Sequence, residues 1–454
     1  MRALIDRATS ADLMQLAGDS TSHPRNIAAI LVLDTTPLQA WPLIRHMVTG
    51  RARSVPRLRQ CLVSTPWGCG RPIWVDDPEF DIEHHLRRQV TCPAPGDEHA
   101  LLRLAADAMA APLDRRHPLW SLTMVTGLAD GRAALIGVTH HVMTDGTGGM
   151  GVLEALLDGG TVVPVARSAS RPTNFELFVD TLRTRCRRVW HLPAQVRDVR
   201  DGLRELVADG VATTAPTSLR RPCGSERALA VVRAELAAVR AAAHRYGGTV
   251  NDVLLAAVGG ALGDLLRSRG ESTDAVLVSV PVSGRRPQVD SRPTNKVGVI
   301  TVPIPTGGQP ARRLASVTRT TRSHRTTRPG ASVALLGPVF RALDRLGLFD
   351  WFVRRQRFID TSVTNLHGPV GSLSFLGVRV DEVVAVSTLT GNVTVNFAVL
   401  SYAGRLTMTV VADEATCPDL DVLAAALQRE LDVLAGGDAR ATSLVGVAAS
   451  GNSV

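Results

Sequence analysis

The stretch Ala133-Ala134-Leu135-Ile136-Gly137-Val138-Thr139-His140-His141-Val142-Met143-Thr144-Asp145-Gly146 decides how this chain is read. Residues 133–139 form a short β-prone apolar run that ends in two histidines. A Gly-rich continuation, Thr147-Gly148-Gly149-Met150-Gly151, leads into a helix expected over residues 151–157. Side chains placed between a strand end and a helix project into a loop, where catalytic groups are often carried on a rigid scaffold. An imidazole with an ordinary pKa of about 6.5 accepts a proton from an alcohol near neutrality and returns it later. Asp145 supplies a charge that can orient such a loop, and Gly146 removes a side chain where a substrate must come close. A bare pair of histidines at a strand end is usually ordinary structure. His84-His85 is such a pair, with no Asp-Gly behind it, and is assigned no chemistry.

Working outward, a strand over residues 121–125 joins the 133–139 strand through the turn Ala129-Asp130-Gly131, giving a hairpin that feeds the histidine loop. Further upstream stand a helix at 98–111, a strand at 26–34 and a helix at 37–48. Residues 163–226 are rich in Ser, Pro and Arg, and 175–207 read as an arginine-bearing helix. An apolar helix over 249–267, capped by Thr249 or Asn251, follows, with a buried strand at 275–282 and more strands up to Val411. The fold class is therefore mixed α/β (α+β). The expected division is residues 1–162, a helical crossover at 163–225, and residues 226–454, since 454 residues exceed one ordinary core.

Composition bounds the function. Hydrophobic residues make up 45% and charged residues 20%, the balance of a folded globular chain. The net charge of +9 comes almost wholly from scattered arginines, with Lys296 the single lysine, so no nucleic-acid partner is expected. Six cysteines, at 61, 69, 92, 186, 223 and 417, form no CxxC pair and suit a reducing cytoplasm. No apolar run reaches the roughly 18 residues of a membrane span and residues 1–12 lack a secretory apolar core, so any membrane contact is expected to be peripheral. The run Gly146–Gly151 fits GxGxxG, but a histidine loop intervenes after the strand, against a dinucleotide site. GxSxG, the phosphate-loop motif and HExxH are absent from the sequence.

His140-His141 with Asp145-Gly146 is the HHxxxDG pattern of the CoA-dependent acyltransferase superfamily, which includes chloramphenicol acetyltransferase and peptide-synthetase condensation domains. Other segments narrow the likeness: Pro118-Leu119-Trp120, the run Arg71 to Asp77 with Phe80-Asp81, Asn251-Asp252-Val253, Asn295-Lys296-Val297-Gly298, and Ser401-Tyr402-Ala403-Gly404. In this order the chain resembles the bacterial wax ester synthase/diacylglycerol acyltransferase family. The resemblance implies two chloramphenicol-acetyltransferase-like subdomains with an active-site tunnel at their interface. It also implies His141 as general base, Asp145 in a structural salt bridge for which Arg285 is the candidate partner, and Asn251 as either an oxyanion donor or a helix cap. Trp120 reads as packing.

No bound cofactor is implied. Acyl-CoA would be cosubstrate, and diacylglycerol or a long-chain alcohol the acceptor, giving triacylglycerol or wax ester. The alternatives are esterification of a polyketide or glycolipid alcohol, or a non-catalytic lipid-binding relative. Phe349, Trp351, Phe352 and Phe358 among Arg354, Arg355 and Arg357 are a candidate seat on a membrane or lipid droplet, at the inner face of the plasma membrane. The chain departs from the family pattern at Pro24-Arg25-Asn26, where Pro-Met-His is usual, at Ser121, where an acid is usual, and at Asn365-Leu366-His367-Gly368-Pro369, where Asn-Val-Pro-Gly-Pro is usual.

Overall fold

A computed structural model describes residues 5–17, 19, 23–37, 41–143, 146–160, 171–190, 214–283, 297–325, 343 and 346–436. Its strands are β1 (Asn26–Leu33), β2 (Gln60–Val63), β3 (Ile73–Asp76), β4 (Leu86–Thr91), β5 (Trp120–Thr126), β6 (Ala133–His140) and β7 (Arg227–Glu235). There follow β8 (Ala275–Ser283), β9 (Val297–Pro305), β10 (Thr361–His367), β11 (Ser374–Phe375), β12 (Val378–Val386), β13 (Val395–Tyr402) and β14 (Arg405–Asp413).

The expected hairpin is β5–β6, paired antiparallel. Its turn places Asp130 and Gly131 at φ 63° and 71°, the left-handed region that Asp and Gly tolerate best. These strands lie in a six-stranded sheet of order β11-β12-β1-β6-β5-β4. β1 is its spine, with Ile30 opposite Val384 on one side and Ile136 on the other. Ile30, Leu31, Val32 and Leu33 are all buried because both faces of the sheet are covered, which is why β1 reads as a continuous apolar run. Ile30 and Val32 meet Ala134, Ile136, Val138 and the apolar side of the Glu98–Ala110 helix. Leu31 and Leu33 meet Leu135, Leu122 and the Gly146–Leu156 helix residues Met150, Leu153 and Leu156. That helix starts at Gly146, earlier than the expected 151, so the Gly-rich run is helical.

The second six-stranded sheet has the order β7-β14-β13-β10-β8-β9. Behind it lies the Val250–Ser268 helix, buried from Asp252 to Gly263 and again at Leu265 and Leu266. Its approach to the chain after β9 is set by glycine: a Cβ on Gly263 would collide with the Thr306 carbonyl, and one on Gly259 would lie 2.6 Å from the Pro305 carbonyl oxygen. The preceding Leu236–Arg245 helix meets it at 94°, and no single described helix is long and apolar enough to cross a membrane. The expected 175–207 helix is seen as Asn174–Trp190, and residues 191–207 lie outside the described residues.

The two sheets do not divide cleanly along the chain. β11 and β12, from the later part of the sequence, complete the first sheet by pairing β12 with β1. Leu229 of β7 and Val411 of β14 share a core with Ile30, Ile136 and Val384, which seals the two halves together.

Candidate active site

His140 ends β6 opposite Asn26, and the His141 N–H donates to the Arg25 carbonyl at 2.8 Å, carrying the β1–β6 ladder one rung further. Successive strand residues face opposite sides. Gly137, Thr139 and His141 therefore open onto a cavity of about 310 Å³, whereas Ile136 and Val138 pack into the opposite core. The buried side chains of Val142 and Met143 anchor the turn after the histidines, and the Met143 N–H donates to the His140 carbonyl at 2.9 Å. Thr144 and Asp145 lie outside the described residues, as does Arg285, so the expected Asp145–Arg285 salt bridge is not among the described contacts. Gly146 opens the helix that flanks the cavity.

His140 is 3% exposed and turned away from the cavity's side of the strand. Its Nδ1 accepts the Val142 N–H at 3.0 Å, which leaves the proton on Nε2, facing Asp19 Oδ2 at 3.1 Å. Asp19 also accepts the Arg25 N–H at 2.9 Å and pairs with Arg115. Burial alone would raise the Asp19 carboxyl, but His140, Arg115 and the Arg25 N–H outweigh it and hold it at about 2. Asp19 was missed by sequence reasoning: a lone Asp in a polar loop carries no spacing signal.

The cavity lies between the two sheets. Leu58, Leu122, Leu153 and Leu156 supply apolar wall on the first side. On the second, Ser279, Ser362 and Thr364 face in from β8 and β10, while their neighbours Val278 and Val363 pack against the core behind. Ser387, Thr388 and Thr390, after β12, add hydroxyls, and Asn396 of β13 is fixed by accepting the Ser362 N–H at 3.0 Å and donating to the Thr388 carbonyl at 2.7 Å. None of these could be placed from sequence, because each becomes a wall only when the sheets meet.

Asn251 does not line this cavity. The helix cap is Thr249, whose side chain and that of Asp252 form a reciprocal capping box, and Asn251 sits inside the first turn with its Oδ1 buried. Of the two expected caps, Thr249 therefore takes the capping role and Asn251 does not. Trp120 lines the cavity and is fixed by donating Nε1–H to the Leu58 carbonyl at 2.7 Å. His85 stacks on Trp120 at 4.4 Å between ring centres, and burial pulls its imidazole down to about 4, in keeping with a packing role. Ser121 is buried on the cavity wall, and Asn26 points to the other face, its Nδ2 donating to the Met109 and Ala111 carbonyls at 2.9 Å.

The sequence matches the wax ester synthase/diacylglycerol acyltransferase catalytic domain over residues 9–254 and the C-terminal domain of the same family over 294–435. The chain belongs to this family. It is an acyltransferase with the family's mixed α/β, two-domain fold. A putative diacylglycerol O-acyltransferase of Mycobacterium tuberculosis strain H37Rv is 31% identical over 441 residues, covering 90% of this chain and 92% of that one. Among solved structures, the wax ester synthase/diacylglycerol acyltransferase from Marinobacter aquaeolei VT8 superposes with a TM-score of 0.67 at 21% identity, covering 95% of this chain and 100% of that one. The starter condensation domain of rhizomide synthetase in complex with C8-CoA gives 0.60 at 17% identity, with 96% and 95% covered.

Proposed function

We propose that this acyltransferase moves a long-chain fatty acyl group from acyl-CoA to a lipid alcohol, with His141 as general base. Diacylglycerol would give triacylglycerol, and a long-chain alcohol would give a wax ester. The observation that carries the reading is the place of His141: it stands one residue past the end of β6 and lines a chamber with an apolar wall between the two sheets. The His141 imidazole takes the proton of the acceptor hydroxyl as the oxygen bonds to the thioester carbonyl carbon. The C–S bond then breaks, and the departing CoA sulfur takes that proton back from His141. The reaction so drawn needs two substrates and one base, and no acyl-enzyme.

The names of the mycobacterial and Marinobacter relatives support diacylglycerol and alcohol acceptors, and the C8-CoA bound by the rhizomide condensation domain supports a CoA thioester as donor. Asp145, with Arg285 as its partner, would hold the loop, with Gly146 leaving room for substrate. Exposed Phe175, Phe178 and Leu182 on the Asn174–Trp190 helix, with exposed Trp67 and Trp351, support a peripheral seat on the lipid phase that supplies such acceptors.

The test is a product assay with purified protein, radiolabelled palmitoyl-CoA, and either diacylglycerol or hexadecanol. Labelled triacylglycerol or wax ester is expected, and its formation should disappear in His141→Ala. Absence of ester from both acceptors would overturn the reading.

A further inference from the structure

Among the described residues, Arg25 is the single arginine on the cavity wall. Its side chain is 9% exposed. Nη1 donates to Thr390 Oγ1 at 2.8 Å and Nη2 reaches the Ala17 carbonyl at 3.5 Å, both neutral acceptors. The carboxylates that act on it through space are Asp19 and Asp350. Neither pairs with its guanidinium among the described contacts: Asp19 is engaged by His140 and Arg115, and Asp350 by Arg354 at 2.7 Å. Burial pulls this guanidinium below its ordinary value, against the opposing pull of Asp19 and Asp350. A guanidinium carries five N–H donors, so several stay available to a ligand.

Arg25 and His141 share one rung of the sheet, where opposed Cβ atoms lie about 5 Å apart. Among the described residues they are also the only ionisable ones lining the cavity. One guanidinium matches one carboxylate in bidentate geometry. A phosphomonoester, at about −1.5 to −2, would find no second fixed cation among the described residues of this wall. The acyl chain is better served by the leucine wall, which leaves the Arg25 side, with Thr388 and Thr390, to the acceptor.

We infer that Arg25 makes this cavity selective for an acceptor alcohol that carries a carboxylate, that is, a hydroxy acid whose carboxylate pairs with the guanidinium while its hydroxyl faces His141. The inference rests on the reading that His141 deprotonates the acceptor in this cavity. The hydroxyl oxygen takes the acyl group, CoA leaves as the thiol, and the acceptor carboxylate is unchanged.

The experiment compares 3-hydroxyhexadecanoate and 16-hydroxyhexadecanoate with their methyl esters, palmitoyl-CoA being the donor and hexadecanol the neutral control. At least one free acid should exceed its methyl ester in kcat/KM by about tenfold or more, as expected where a site's polar group is otherwise left unpaired. That ratio should collapse to about one in Arg25→Met and survive in part in Arg25→Lys. Thermal shift of the wild-type protein, which does not depend on either variant folding, should show the preferred acid raising Tm more than its ester. Equal or better use of both methyl esters, with no Tm preference for either acid while hexadecanol is esterified, would overturn the inference and leave the acyl-transfer reading standing. Failure of every acceptor, hexadecanol included, would overturn both.

Discussion

One peptide bond separates the two histidines, yet strand geometry gives them different surroundings: His141 opens on the cavity, and His140 is buried against Asp19. Asp19 thereby reaches the turn that presents His141, through the His140 ring that also accepts the Val142 N–H. Asp19→Asn should lower kcat about tenfold while the KM for palmitoyl-CoA stays within about twofold, since the loss is one of alignment; steady-state kinetics checks this. Asp19 is distant in sequence from the motif it supports, and nothing in its neighbours marks it, whereas the histidines themselves were legible from their spacing to Asp145 and Gly146. His85 makes a second prediction. Its imidazole falls from an ordinary 6.5 to about 4 in the fold, so the unfolded chain binds a proton in that window and the folded chain does not. Its contribution is fully present above about pH 6.5 and is lost as pH falls toward 4, to the extent of about 3 kcal/mol. Urea titrations of wild type and His85→Phe at pH 7 and pH 4.5 should show the variant's stability falling less with acid.

Elements with a local signature were read closely from sequence. The β5–β6 hairpin was visible because Asp130-Gly131 is turn chemistry between two apolar strands, and the long helix because a sustained apolar run follows the cap residue Thr249. The start of the Gly146–Leu156 helix was misplaced because glycine is a poor helix former, and tertiary packing of Met150, Leu153 and Leu156 overrides that preference. In the Val250–Ser268 helix glycine is required by contact rather than by propensity. Gly263→Ala should destabilise the protein by about 2 kcal/mol in urea unfolding, despite alanine's better helix propensity, because the added methyl meets the Thr306 carbonyl.

At the scale of the molecule, the cavity exists because two sheets face each other and the later chain lends β11 and β12 to the first sheet. Residues on β8, β10 and β13 then stand across from His141, an arrangement that no local pattern encodes. Arg233 of β7 adds to the joint by pairing with Glu382 of β12 at 2.6 Å and with Glu98 at the start of the Glu98–Ala110 helix. A fragment of residues 1–225 should therefore fail to fold as a monomer, because β1 loses its β12 partner and exposes an apolar edge; gel filtration and circular dichroism of the fragment check this. The most direct test of the account is the rate of ester formation by His141→Gln beside wild type, with circular dichroism confirming the same fold. The account predicts a fall in kcat of about a hundredfold or more, and a variant that retains activity within about twofold of wild type would contradict it.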